Sequence, residues 1–262
     1  MHYSVCNFAR GDVALRVRLA GSGPLLCLLP GLGRPAEDLD PLAARLVEAG
    51  YQVALPDPRG SGGSSGPLDG LTLHDLAQDV ATVIEGLKAE EIVLIGHGFG
   101  NRIARTVAAD HPELVRLVVL LGCSGKVQPS PEIAEAIRLA QAVDTPQDIR
   151  AKAVQAAWYG KGRDISVWMS GWSQPVMKSY LAAAAATDIS DWWTAGSAEV
   201  LIVQGLADVS APPENGRSLK AEIGGRARLV EIENVSHALP VEAPDEVAEV
   251  ILTGLASMSQ EA

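Results

Sequence analysis

Cysteine is scarce. The three present, Cys6, Cys27 and Cys123, form no CxxC pair, which argues against a disulfide framework or a cysteine zinc site. Cys27 and Cys123 sit in or beside apolar runs and read as small core residues. Basic charge is also short: 21 Lys and Arg against 32 Asp and Glu leave a net charge of −11. Broad binding to nucleic acid or to an anionic membrane has no basic surplus to rest on. No uninterrupted apolar run reaches the ~18 residues of a membrane span. The opening MHYSVCNFARGD lacks the basic region and apolar stretch of a signal peptide. A cytoplasmic protein, monomeric or homodimeric, is the expectation. HExxH and GxxxxGK(S/T) are absent, and no His/Asp cluster converges. Gly96 and Gly98 begin a GxGxxG, but its third glycine position holds Asn101. It also falls at the wrong strand for a first βαβ fingerprint. Neither a metal nor a cofactor is expected.

What is present is material for one sizeable core: 262 residues, 47% of them hydrophobic. Strand patterns at 3–8 and 12–19 flank Arg10-Gly11-Asp12 and suggest a hairpin. Apolar strands follow at 25–29, 51–55, 91–96 and 115–121, separated by helical patterns at 38–49, 72–88 and 99–110. Thr72 or its neighbour is a candidate helix cap, with Asp75 in the first turn. Continuously apolar strands alternating with helices predict a mainly parallel sheet covered on both faces. The alternation breaks near 124, where helical patterns at 131–143, 147–158 and 174–187 have no strand between them. It resumes with strand 199–205, helix 214–222, strand 227–232 and a helix near 245–257. The reading is one α/β domain, residues 1–123 and 197–262, with a helical insertion over 124–196.

All five tryptophans, Trp158, Trp168, Trp172, Trp192 and Trp193, lie in that insertion. A small subdomain needs large side chains to fill its core. As a group they also suggest an aromatic wall facing a pocket, which would favour an apolar or aromatic small molecule.

PGLG at 30–33, DPRGSGGS at 57–64, GHGFG at 96–100, GLADVSAPPENG at 205–216 and NVSHALP at 234–240 are each weak motifs. Their order and spacing together resemble the α/β-hydrolase superfamily, in its single-domain form with a helical cap after the sixth strand. The resemblance covers nearly the whole chain. It implies a mostly parallel eight-stranded sheet flanked by helices, and a strand-to-helix elbow of the form G-x-nucleophile-x-G. Here the nucleophile position holds Gly98, which has no side chain to attack with. The resemblance places the family acid at Asp208 and the family base at His237. It places the oxyanion donors at the N–H groups of Leu32 and Phe99, the latter at a helix N-terminus. His97 is expected to pack beside the sheet, and Asp57 and Arg59 to order a turn. Asp38 and Glu37 are expected to cap the 38–49 helix.

Ser124 belongs to the pocket neighbourhood by topology, and Cys123 is adjacent, but a chemical role is not the favoured reading of either. The pocket is expected to draw on Trp158, Trp168, Trp172, Trp192 and Ser124. Four functions stay open. The first is hydrolysis of an ester, lactone or activated carbonyl compound by water that His237 activates. The second is proton abstraction, in a lyase or cofactor-free oxygenase. The third is silent binding of an apolar ligand. The fourth is a serine hydrolase whose nucleophile has been exchanged by design for the glycine at position 98.

Overall fold

The computed structural model describes residues 1–89 and 92–258, and for residue 258 the backbone alone. Eight strands form one sheet: β1 (Ser4–Arg10), β2 (Val13–Gly21), β3 (Leu25–Leu29), β4 (Gln52–Pro56), β5 (Ile92–His97), β6 (Val115–Leu121), β7 (Glu199–Gly205) and β8 (Ala227–Ile232). Their spatial order is β1-β2-β4-β3-β5-β6-β7-β8. β1–β2 and β2–β4 are antiparallel, and every other pairing is parallel. This is the architecture the motif order implied. The expected strand at 91–96 lies one residue later, and its residue 91 is outside the described residues, as are 259–262 of the expected core unit.

Nine α-helices occur among the described residues: α1 (Asp40–Glu48), α2 (Leu73–Gly86), α3 (Gly100–Asp110), α4 (Pro131–Gln141), α5 (Gln147–Trp158), α6 (Gln174–Ala185), α7 (Glu214–Ile223), α8 (Leu239–Glu242) and α9 (Pro244–Met258). The α2 start is a reciprocal cap. The Asp75 N–H donates to Thr72 Oγ1 at 3.3 Å, and the Thr72 N–H donates to Asp75 Oδ2 at 2.8 Å. Such a cap contributes about 1 kcal/mol. The expected capping role of Asp38 is not what the chain uses. A 3-10 turn over Ala36–Leu39 precedes α1, whose N-cap is Leu39 without a side-chain bond. Asp38 is instead buried against Arg34. Helix α8 was not anticipated; its four residues are too few for a periodic signal.

The sheet carries a core on each face. One holds α1 and α9 through Leu42, Leu46, Val247 and Ile251. The other holds α2 and α3 together with Val176, Tyr180, Trp192 and Trp193 of the insertion between β6 and β7. The rest of the insertion forms a third cluster around Trp158, Trp168 and Val154. No helix among the described residues is long and apolar enough to cross a membrane.

Candidate active site

The elbow between β5 and α3 is as tight as its sequence suggests. Gly98 has φ +53°, a left-handed conformation. A Cβ at Gly96 would lie 2.5 Å from the Asn101 backbone, and one at Gly100 would lie 2.3 Å from the Leu29 carbonyl oxygen. Both neighbours must therefore be glycine for the helix to pack on the strands. The position between them is open toward the base. A Cβ at Gly98 would lie 3.1 Å from His237 Nε2. That is close contact with the atom that would take a nucleophile's proton.

His237 and Asp208 are brought together from the loops after β8 and β7. His237 Nδ1 and Asp208 Oδ2 are 2.8 Å apart, with the His237 side chain 12% exposed and Asp208 at 0%. Asp208 is further held by the surrounding chain. Its Oδ1 accepts from the Ser210 and Ala211 N–H groups at 3.0 and 2.7 Å, and its Oδ2 accepts from Gln204 Nε2 at 3.3 Å. A carboxylate so held fixes the imidazole tautomer with the proton on Nδ1, which leaves the Nε2 lone pair facing Gly98. Gly122 lies under the pair. A Cβ there would come within 3.1 Å of His237 Nδ1 and 3.2 Å of Asp208 Oδ2.

Three supporting residues escaped the sequence reading. Gln204 is the lone polar residue of the EVLIVQG strand inside the sheet, and it bridges the Cys123 N–H to Asp208 and the Ala211 carbonyl. A glutamine ending an apolar strand run is all the sequence shows of it, and its burial is seen only in the fold. Asn101 donates to the Gly122 carbonyl at 2.8 Å and accepts from Arg105 at 2.6 Å, so it pins the turn beneath the dyad. Glu242 accepts from the Ser236 N–H beside the base, and at 3.2 Å from the Gly160 N–H of the insertion. Burial pushes its carboxyl above the ordinary value.

His97 both packs and faces the site. Its Nε2 lies 2.8 Å from the His237 carbonyl oxygen, and the two rings are 5.0 Å apart. Burial, and then the neighbouring His237, push its pKa down to about 3. It is therefore neutral, donates from Nε2 to that carbonyl, and keeps a bare Nδ1. Arg59 donates to the Pro67 carbonyl of its own loop at 3.3 Å and also ties that loop to α2. It pairs twice with Asp79 of α2, at 2.7 and 2.6 Å, while Asp57 holds the turn by accepting from the Gly63 N–H at 2.7 Å.

A cavity of about 70 Å³ opens at this centre, lined by Gly31, Leu32, Arg34, His97, Phe99, Gln141, Trp158, Trp168, Trp172 and His237. Leu32 and Phe99 bound it, and neither N–H donates to a protein acceptor among the described residues. The Trp168 indole N–H is likewise buried without a partner. Arg34, only 2% exposed, reaches from the loop after β3 to the Val167 and Ser170 carbonyls and stacks 4.4 Å from the Trp172 ring.

Two expected pocket residues lie elsewhere. Trp192 does not line this cavity; it packs in the sheet-side core with the Arg105 guanidinium 4.6 Å over its ring, where a buried cation needs a π face. Ser124 does not line it either. Its hydroxyl donates to the Gly98 carbonyl at 3.4 Å and accepts from Arg102 at 3.4 Å, behind the elbow. Cys123 is fully buried, and that burial raises its pKa away from thiolate formation. Among the described residues no group of three His, Cys, Asp or Glu side chains could hold a metal ion.

Known proteins share this fold. The chain is 34% identical over 151 residues to 2-(acetamidomethylene)succinate hydrolase of Mesorhizobium japonicum, covering 58% of this chain and 53% of that protein. It thus spans about half the length of that relative. It is 27% identical to rhodomycin D methylesterase DnrP of Streptomyces peucetius, over 87% of this chain and 89% of that one. An esterase from Exiguobacterium antarcticum shares the fold, with a TM-score of 0.80 and 21% identity over 95% of this chain and 98% of its own. Residues 24–244 match the alpha/beta hydrolase fold family, and the chain belongs to it.

Proposed function

We propose that this protein hydrolyses an ester, lactone or activated carbonyl compound of small size, with His237 as general base, Asp208 as its orienting acid and no covalent enzyme intermediate. The observation that carries this reading is the 3.1 Å from an ideal Cβ at Gly98 to His237 Nε2. A water held in the place of a nucleophile's hydroxyl loses a proton to Nε2 while its oxygen bonds to the substrate carbonyl carbon. The Leu32 and Phe99 N–H groups hold the resulting oxyanion. Collapse breaks the bond to the leaving oxygen, which takes the proton back from Nε2. The named hydrolase and methylesterase relatives support the reaction class. Residues 124–196 serve as the cap in this scheme, with Trp158, Trp168 and Trp172 as the substrate wall.

The test is initial-rate assay on an ester and lactone panel with intact-mass analysis. The expected outcome is turnover without an adduct, reduced at least ~100-fold in His237→Ala, the scale of lost general-base catalysis. Gly98→Ser should form a covalent adduct with a fluorophosphonate, because its hydroxyl would lie within reach of Nε2. Unchanged turnover in His237→Ala sinks the dyad. A silent native chain beside an adduct-forming Gly98→Ser protein points instead to a serine hydrolase that has lost its nucleophile.

A further inference from the structure

A second cavity, of about 40 Å³, lies behind Phe99. Its walls are Leu15, Leu29, Leu76, Val80, Val83 and Ile103 from the strands and helices, closed by Tyr180 of α6. Gly31 and Phe99 line both cavities, so only the elbow and the loop after β3 separate them. Phe99 lies where the two cavities meet, its ring 5.7 Å from the Tyr180 ring.

The polar side chains at its margin are spent elsewhere. Arg59 and Asp79 are paired, Asp57 accepts from the Gly63 N–H and from Arg16, and the Tyr180 hydroxyl donates to the Arg59 carbonyl at 3.4 Å. Among the described residues, none of its lining side chains has a buried polar atom without a partner. A water there would find few partners, and such a cavity favours apolar occupants. The catalytic cavity is the opposite, with the Trp168 indole N–H and the two backbone N–H groups unpartnered.

We propose that the cavity behind Phe99 is the subsite for a short, unbranched aliphatic acyl group of the substrate, with the carbonyl at Leu32 and Phe99 and the leaving group against the tryptophans. This rests on the hydrolytic reading above and names its substrate class. A carbonyl held between the two N–H groups carries two substituents. The two cavities that meet at Phe99 take one each. A volume of about 40 Å³ is far below the ~150 Å³ that admits benzene. It therefore accepts an alkyl tail of a few carbons and rejects an aryl group.

The test is binding of the product acids acetate, propionate, butyrate, hexanoate and benzoate, followed by tryptophan fluorescence, with ester turnover measured in parallel. Affinity should rise from acetate to butyrate by about threefold to fourfold per methylene, the value of one buried CH₂. It should fall for hexanoate and benzoate. Val80→Phe, which fills the cavity, should move the optimum to acetate. Ile103→Ala, which enlarges it, should extend the optimum to hexanoate and keeps the test in force if the first variant does not fold. Flat affinities, no binding, or a ranking unchanged in a folded variant overturn the subsite. Flat affinities with ester turnover overturn the subsite alone. Ranked binding that the variants shift, without ester turnover, supports the subsite and removes the hydrolytic reading.

Discussion

At the scale of single residues, His97 couples the site to pH. Its pKa is about 3 in the fold against about 6.5 in an unfolded chain. The unfolded chain therefore takes up a proton that the folded one refuses. The stability His97 supports is fully present above about pH 6.5 and is lost as pH falls toward 3. By pH 4.5 one such proton amounts to about 2–3 kcal/mol. His97→Gln removes the titration while keeping an N–H for the His237 carbonyl. Urea unfolding at pH 7 and pH 4.5 should show the pH-dependent loss in the native chain shrinking by about that amount in the variant. An equal loss in both would mean that another group carries it. Gly98 shows a different residue effect: its left-handed turn survives although the side chain it ordinarily presents is absent. Elbow geometry depends on Gly96 and Gly100, which allow close packing, rather than on the residue between them.

At the scale of elements, the insertion is stitched to both halves of the site. Gly33 accepts from the Ser173 N–H at 3.0 Å, and the Ala238 N–H beside the base donates to the Trp158 carbonyl at 3.0 Å. Ser210, which follows the acid, donates to the Ala157 carbonyl at 2.6 Å. Arg34 is the strongest of these ties. Its guanidinium meets Asp38 at 2.6 and 3.0 Å and reaches two carbonyls of the insertion. Burial pushes the Asp38 carboxyl up against the opposing pull of Arg34. Arg34→Met would strand that carboxylate, and losing one partner of a buried pair costs about 3–5 kcal/mol. Replacing both, as Arg34→Met with Asp38→Leu, should restore at least half of the loss in urea unfolding, because no buried charge is left behind. A double variant as weak as the single one would show that the carbonyl bonds, not the charge pair, dominate.

At the scale of the whole molecule, the insertion is part of the core rather than a detachable lid. Val176, Tyr180, Trp192 and Trp193 share one buried cluster with β5, β6, α2 and α3. Side chains of this size are worth roughly 2–5 kcal/mol each when buried. Losing four of them matches or exceeds the ~5–15 kcal/mol that holds a typical domain together. A chain with 124–196 replaced by a short linker should show no cooperative thermal transition and should bind a hydrophobic dye. A cooperative transition near the native temperature would mean that the sheet closes its own face.

The sequence by itself determined the strand and helix order, the parallel sheet and the elbow, because apolar runs, their alternation and glycine spacing are local properties of the chain. The resemblance to the α/β-hydrolase superfamily, carried by the order and spacing of five short motifs, marked Gly98, Asp208 and His237. Only the tertiary structure decided which tryptophans face the site. Trp158, Trp168 and Trp172 line the cavity while Trp192 lies over Arg105, a difference set by how the insertion docks and not by helical periodicity. It alone revealed Gln204 and Asn101 beneath the dyad, and Arg34 paired with Asp38. Each is an ordinary polar residue in sequence, and its role comes from which chain-distant groups burial leaves in need of a partner.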